Sequence, residues 1–144
     1  MLNRVPKSTV YSELKEQCLK QWKNEWERTT KGATTKSFFP SMVNRLKLRI
    51  NPTPNFTAIV TGHGNIKTYL HKFNIIENIK CSCDKAEQTV DHIIYSFNLQ
   101  EQERDRLKAV TTRSEQWPIS KNKLVLKYYK NFKQFTDSIV FNKE

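Results

Sequence analysis

Between Ser8 and Arg28 the apolar side chains Val10, Leu14, Cys18, Trp22 and Trp26 recur at an unbroken spacing of four, with Leu19 beside them. At about 3.6 residues per turn this spacing holds them on one helical face, whereas a strand would need a period of two. The stripe predicts a helix, with Ser8 or Thr9 to cap its start and Gly32 just past its end. A face with two tryptophans is expected to pack on a core, base stacking being the competing use. Cys18, on the same face, reads as a small buried hydrophobe. Three Gly and five Pro in 144 residues agree with a helical chain, disfavouring a turn-rich all-β fold and a Gly-rich phosphate loop.

The remaining helices are expected to be shorter. Residues 42–50 fit either a strand, with Leu46, Leu48 and Ile50 alternating, or a helix through Met42, Val43, Leu46 and Ile50. Asn51-Pro52-Thr53-Pro54-Asn55 is a breaker and the best internal boundary. Phe56–Thr61 reads as a short helix and Gly62-His63-Gly64 as a turn. Ile66, Tyr69, Leu70 and Phe73 then mark a second helix. His63 reads as a capping or buried hydrogen-bonded histidine, a ligand or base being the alternative, and His71 as a surface residue.

Thr89 caps a helix whose apolar face runs through Val90, Ile93, Ile94, Phe97, Leu99 and Leu107, with residues 101–106 solvated. After Trp117-Pro118 and Ser120, a last amphipathic helix follows Leu124, Tyr128, Phe132, Phe135 and Ile139. The expected fold is mainly α: a small bundle of about five helices with a Cys/His knuckle-like loop between helices. With 37% hydrophobic residues the chain can bury a core, and its length suits one domain over 1–144. Within it, residues 1–50 form a basic N-terminal helix and connection. Residues 51–110 form a helical hairpin plus the Cys/His element, and residues 111–144 a basic C-terminal helix.

The formal charge is +11. It is uneven: residues 1–50 carry +7, 51–80 +2, 81–110 −2 and 111–144 +4. Basic ends flanking an acidic middle attract polyanions, nucleic acid first, through phosphate neutralisation. Expected contacts are Arg4, Lys7, Arg45, Lys47, Arg49, Lys127, Lys130 and Lys133. Tyr129 is the better candidate for stacking on bases, since Tyr128 lies on the apolar face. No apolar run is long enough for a membrane span, no signal-peptide stretch is visible, and three cysteines make no disulfide framework. An intracellular protein of nucleus or cytoplasm is expected, without membrane partner or small-molecule substrate.

One constellation has metal-ligand spacing, Cys81-x-Cys83-x8-His92. Two thiolates and an imidazole are zinc's preferred donors, but structural zinc takes four protein ligands. Five residues beyond His92, where a fourth donor would face the same way, stands Phe97. Asp84 and Asp91 are the nearest substitutes, water being the other; alternatively the cluster is two buried thiols and a helix-face histidine. Catalysis is not expected. The sequence offers no paired acids in an apolar context and no nucleophile elbow, and a Cys81–His92 pair lacks a third member.

Val60-Thr61-Gly62-His63-Gly64, Tyr69-Leu70-His71-Lys72-Phe73, Cys81-x-Cys83, residues 87–94 and Glu103-Arg104 together resemble the C-terminal region of arthropod non-LTR retrotransposon polyproteins of the Jockey and related clades. The Trp22-x3-Trp26 helix, Lys31-Gly32 and Trp117-Pro118 extend the resemblance over nearly the whole chain. It implies a zinc-knuckle-like element downstream of endonuclease, reverse transcriptase and RNase H, helping the polyprotein hold template RNA or target DNA. Cys81, Cys83 and His92 match the first three presumed ligands; Phe97 replaces the fourth, as in a decayed or domesticated copy. The implied function is a non-catalytic module binding RNA or single-stranded DNA. The alternatives are an interaction module docking on the upstream polymerase or RNase H domains, and a fragment without function.

Overall fold

A computed structural model describes residues 4–141. The chain is helical, as expected, in shorter pieces: nine α-helices among the described residues, with one antiparallel bridge, Lys80 to Glu87, as the pairing that resembles a strand. α1 spans Lys7–Arg28, α2 Ala33–Phe38, α3 Met42–Lys47, α4 Pro54–Thr61 and α5 Lys67–Lys72. α6 spans Val90–Tyr95, α7 Glu101–Thr111, α8 Lys121–Leu126 and α9 Tyr129–Asp137.

Local chemistry sets many of these boundaries. Thr53, Thr89 and Ser120 cap α4, α6 and α8 by accepting the N–H groups of Phe56, His92 and Lys123. Pro54 opens α4, where its missing N–H costs no hydrogen bond. Gly62 ends α4 at φ 72°, and Gly64 follows at φ 104°, so the tight turn uses both glycines in the left-handed region. The ambiguous stretch at 42–50 is helical through Lys47, with Ser41 as its cap.

Phe38, Ile59, Ile66, Ile93, Ile94, Leu124, Val125, Phe132 and Phe135 form the centre of the core. Phe132 organises the aromatic packing, with ring centroids 5.8 Å from Phe38, 6.1 Å from Phe56 and 6.2 Å from Phe135. Burial of each such side chain is worth about 1.5–3 kcal/mol. α2 packs on α8 and α4, and α9 packs on α4, α7 and α8.

Four expectations are corrected. The α1 stripe does not enter the core: Val10 is 44%, Leu14 55% and Trp22 55% exposed, and Cys18 is exposed as well. Every residue from Arg4 to Cys18 faces solvent, and α1, about 33 Å long by its 22 residues, meets the body near its C-terminal end. There it packs on α3, and the Trp26 indole donates to the Phe39 carbonyl at 3.0 Å. Capping also differs: Pro6 precedes α1 with no side-chain cap, and Gly32 opens α2 instead of closing α1.

The long helix expected from Thr89 is broken after Tyr95, because the buried Arg104 guanidinium takes the carbonyls of Ile93, Ile94 and Phe97. Leu99, on the intervening 3₁₀ turn, is exposed. The last helix is likewise two. Lys127 and Tyr128 separate α8 from α9, with Tyr128 at φ −123° and ψ 32° and its hydroxyl 2.6 Å from that of Ser114.

Candidate metal centre and basic surface

The loop before α6 folds back on itself through backbone bonds. Cys81 N–H donates to the Ala86 carbonyl at 2.8 Å, and Asp84 N–H donates to the Cys81 carbonyl at 2.9 Å. Asp84 makes that turn at φ 56°, a left-handed conformation that Asp tolerates better than most residues. Gln88 anchors the loop's exit: its side chain accepts from Lys67 N–H, and its carbonyl accepts from the Thr68 hydroxyl. Thr89 then starts α6 with His92 on its first turn.

This geometry places Cys83 Sγ 3.1 Å from His92 Nε2, and the donor atoms of Cys81, Cys83 and His92 all lie within 4.8 Å of one another. A tetrahedral ion bound to sulfur at about 2.3 Å and nitrogen at about 2.0 Å holds neighbouring donors about 3.5–3.8 Å apart. The Cys83–His92 separation lies just below that range, and no pair of the three is more than 4.8 Å apart. The three side chains therefore lie close enough to hold a metal ion.

Their electrostatics differ. Burial raises the pKa of Cys81. Burial also acts against the Cys83 thiolate but is outweighed, by hydrogen bonds from the Lys85 backbone first and then from the Cys81 thiol, so that its pKa falls. Burial, with the Arg104 charge behind it, lowers the pKa of His92 and keeps the imidazole neutral, the form that ligates metals. Neither expected substitute completes the set, and no fourth His, Cys, Asp or Glu among the described residues joins the cluster. Asp91 is paired with Lys121, and Asp84 is exposed in its turn. Phe97 is 4% exposed, its ring centroid 6.1 Å from that of His92.

Arg104, expected on a solvated helix end, is buried at 4% exposure. Its spacing of three before Leu107 and seven before Thr111, both buried, was the available signal. His63, expected capped or buried, is exposed and stacks on Tyr69 at 4.6 Å.

The basic residues fall into separate groups. Arg4 and Lys7 lie at the free end of α1, away from the others. Residues 51–55 run along α9. Tyr129 bonds the backbone of Asn51, Thr53 bonds Asp137, and Asn55 donates to the carbonyls of Thr136 and Ile139. Lys130 follows Tyr129 and Arg49 lies two residues before Asn51, so both adjoin this contact; Lys47 ends α3, and all three are exposed. Arg45 is half-buried, its guanidinium over Phe39 at 5.4 Å. Lys127 is paired with Glu115 at 2.9 Å and Lys133 with Asp137 at 3.0 Å. Tyr129 is half-buried, its ring edge-on to Phe56 at 5.5 Å, so it serves the fold on both its ring and its hydroxyl. An apolar cleft of about 350 Å³ opens beside Arg45 between Trp26, Met42, Ile50, Phe56 and Val60, residues from separate stretches that no local pattern joins.

Fold and site together define a helical, basic segment with a knuckle-like cluster of two thiols and an imidazole. Comparison supplies its relatives: the chain is homologous to Pol polyproteins of insect R1 non-LTR retrotransposons. Over 115 residues, 76% of the chain, it is 31% identical to the retrovirus-related Pol polyprotein from type-1 retrotransposable element R1 of Popillia japonica, covering 44% of that relative. It is 30% identical to the corresponding protein of Bradysia coprophila over 64% of the chain and 9% of that relative. For the R1 2 element of Nasonia vitripennis the identity is 26%, over 58% of the chain and 21% of the relative. The chain thus spans less than half the length of each. No family model and no solved structure matches it. Among the described residues no helix is long and apolar enough to cross a membrane.

Proposed function

We propose that the chain is a non-catalytic nucleic-acid-binding segment of a retrotransposon Pol polyprotein, lying downstream of its reverse transcriptase and RNase H. In this reading it contacts RNA or single-stranded DNA through Lys47, Arg49 and Lys130, with Arg45 and Lys133 flanking, while zinc at Cys81, Cys83 and His92 organises the fold. The observation that carries the reading is the packing of residues 51–55 against α9, which joins the basic stretch ending at Arg49 to the helix that carries Lys130. Phosphate neutralisation by such a group gives sequence-independent, salt-dependent affinity. A binding role without catalysis fits the acids as well: Glu115 is held by Lys123 and Lys127, Glu103 by Arg106 and Asp91 by Lys121.

The test is binding of the chain to single-stranded RNA and DNA across a salt series, with the triple variant K47A/R49A/K130A beside it. The expected result is weaker binding for all sequences, with the slope of log affinity on log salt reduced by about 0.7 per lost contact. An unchanged slope in the triple variant would remove this surface from the function.

A second reading is favoured by α1. Its exposed Val10, Leu14 and Trp22 suit docking on other parts of a polyprotein of which the chain spans less than half. Self-association or capture of upstream domains that is lost on Leu14→Ser together with Trp22→Ser would support it.

A further inference from the structure

We propose that a metal ion held by Cys81, Cys83 and His92 keeps one coordination position exchangeable, and that this position takes an external thiolate or imidazole. The inference rests on the metal-binding reading of the cluster and goes beyond it by naming how the coordination is completed.

The argument is one of donor supply. Three donor atoms converge within 4.8 Å, and no fourth His, Cys, Asp or Glu among the described residues joins them. An ion such as zinc, with three protein donors, completes its shell with water or a ligand from outside. The residue following His92 by the right interval is Phe97, a hydrocarbon ring with no lone pair to give. Of the nearest carboxylates, Asp91 is neutralised by Lys121 and Asp84 is exposed in its turn.

Access and ligand class follow from burial and donor softness. Cys81 is 1% and His92 9% exposed, whereas Cys83 is half-buried. The cluster therefore meets solvent on the Cys83 side. Two thiolates make the ion's surroundings soft, which favours a further sulfur or imidazole nitrogen over water. The exchange is balanced: bound water leaves, and an incoming thiol loses its proton to solvent as its sulfur binds. The third cysteine, Cys18, lies exposed on α1 and outside the cluster, free to enter the site of another copy. The test must remove it.

The experiment uses cobalt(II) as the probe metal on the reduced chain carrying Cys18→Ser, with the visible spectrum as readout. One cobalt per chain is expected, with a spectrum that shifts saturably on adding mercaptoethanol or imidazole while the metal stays with the protein on gel filtration. Phe97→Cys should bind cobalt and abolish that response, because the chain then supplies its own fourth donor. Bound cobalt whose spectrum ignores both ligands in the Phe97 protein would overturn the exchangeable position and leave the metal reading standing. Failure to bind cobalt would overturn both. The titration of the Phe97 protein decides the question even if Phe97→Cys does not fold.

Discussion

The Tyr129 hydroxyl engages both backbone groups of Asn51, accepting from its N–H at 3.0 Å and donating to its carbonyl at 3.1 Å. The contact spans 78 residues of sequence and fixes the loop after α3 to the start of α9. Tyr129→Phe keeps the ring against Phe56 and removes only the hydroxyl. Two partly exposed hydrogen bonds are then lost, at a cost of roughly 0.5–1.5 kcal/mol. Urea unfolding of the two proteins checks this, and a change under about 0.2 kcal/mol would mean that water replaces the hydroxyl without loss.

Arg104 carries a larger share of stability. Its guanidinium satisfies the carbonyls of Ile93, Ile94 and Phe97 where α6 ends, and it also stands behind His92 as the charge that helps keep that ring neutral. Arg104→Met fills similar space but leaves the buried Ile93 and Ile94 carbonyls without their guanidinium donor, while the Phe97 carbonyl keeps the Gln100 N–H. The expected loss is about 2–4 kcal/mol, from roughly 1–3 kcal/mol per orphaned group with partial relaxation. Arg104→Lys should recover only part of it, since one ammonium cannot reproduce the planar fork. Equal stability of the arginine and methionine proteins would show that water reaches these carbonyls.

Much of this arrangement was legible in the chain, and the misreadings share one cause. Capping by Thr89, the turn glycines 62 and 64, the burial of Phe132 and Phe135 and the Cys81–Cys83–His92 cluster all follow from local chemistry or spacing. The α1 stripe was read correctly as a helix and wrongly as core, because periodicity locates an apolar face without saying what covers it. The breaks at Ser96 and Tyr128 escaped for a related reason. The apolar period passes through both, and the bonds that accompany them come from Arg104, on the side of the expected helix that the period assigns to solvent, and from Ser114, which precedes the expected last helix. Tyr129 was offered as a base-stacking residue on its exposure by period, but its partners, Asn51 and Phe56, lie over 70 residues away in sequence.

The exposed stripe makes a sharp contrast available. Leu14→Ala on α1 should change stability by less than about 0.5 kcal/mol, as for a surface site. Leu124→Ala, fully buried on α8, should cost about 2–5 kcal/mol. Thermal or urea unfolding of both variants reads the difference. A cost for Leu14→Ala above about 1.5 kcal/mol would place that face against protein in solution, and its dependence on protein concentration would tell association from intrachain packing.

The last prediction concerns pH in the reduced, metal-free chain. Burial first and the Arg104 charge second hold the His92 pKa below its ordinary 6.5. Below that value the unfolded chain therefore takes up a proton that the folded chain resists. The folded state binds fewer protons, so stability falls as pH drops from about 6.5 towards the folded pKa, beneath which this contribution is constant. His92→Gln removes the titration while keeping a polar group near Cys83. Unfolding free energy measured between pH 7.5 and 5 should thus decline more steeply for the histidine protein than for the glutamine variant. Parallel curves would mean that Cys83 stabilises the imidazolium as well as it does the neutral ring, and that the buried cation at Arg104 is screened from it.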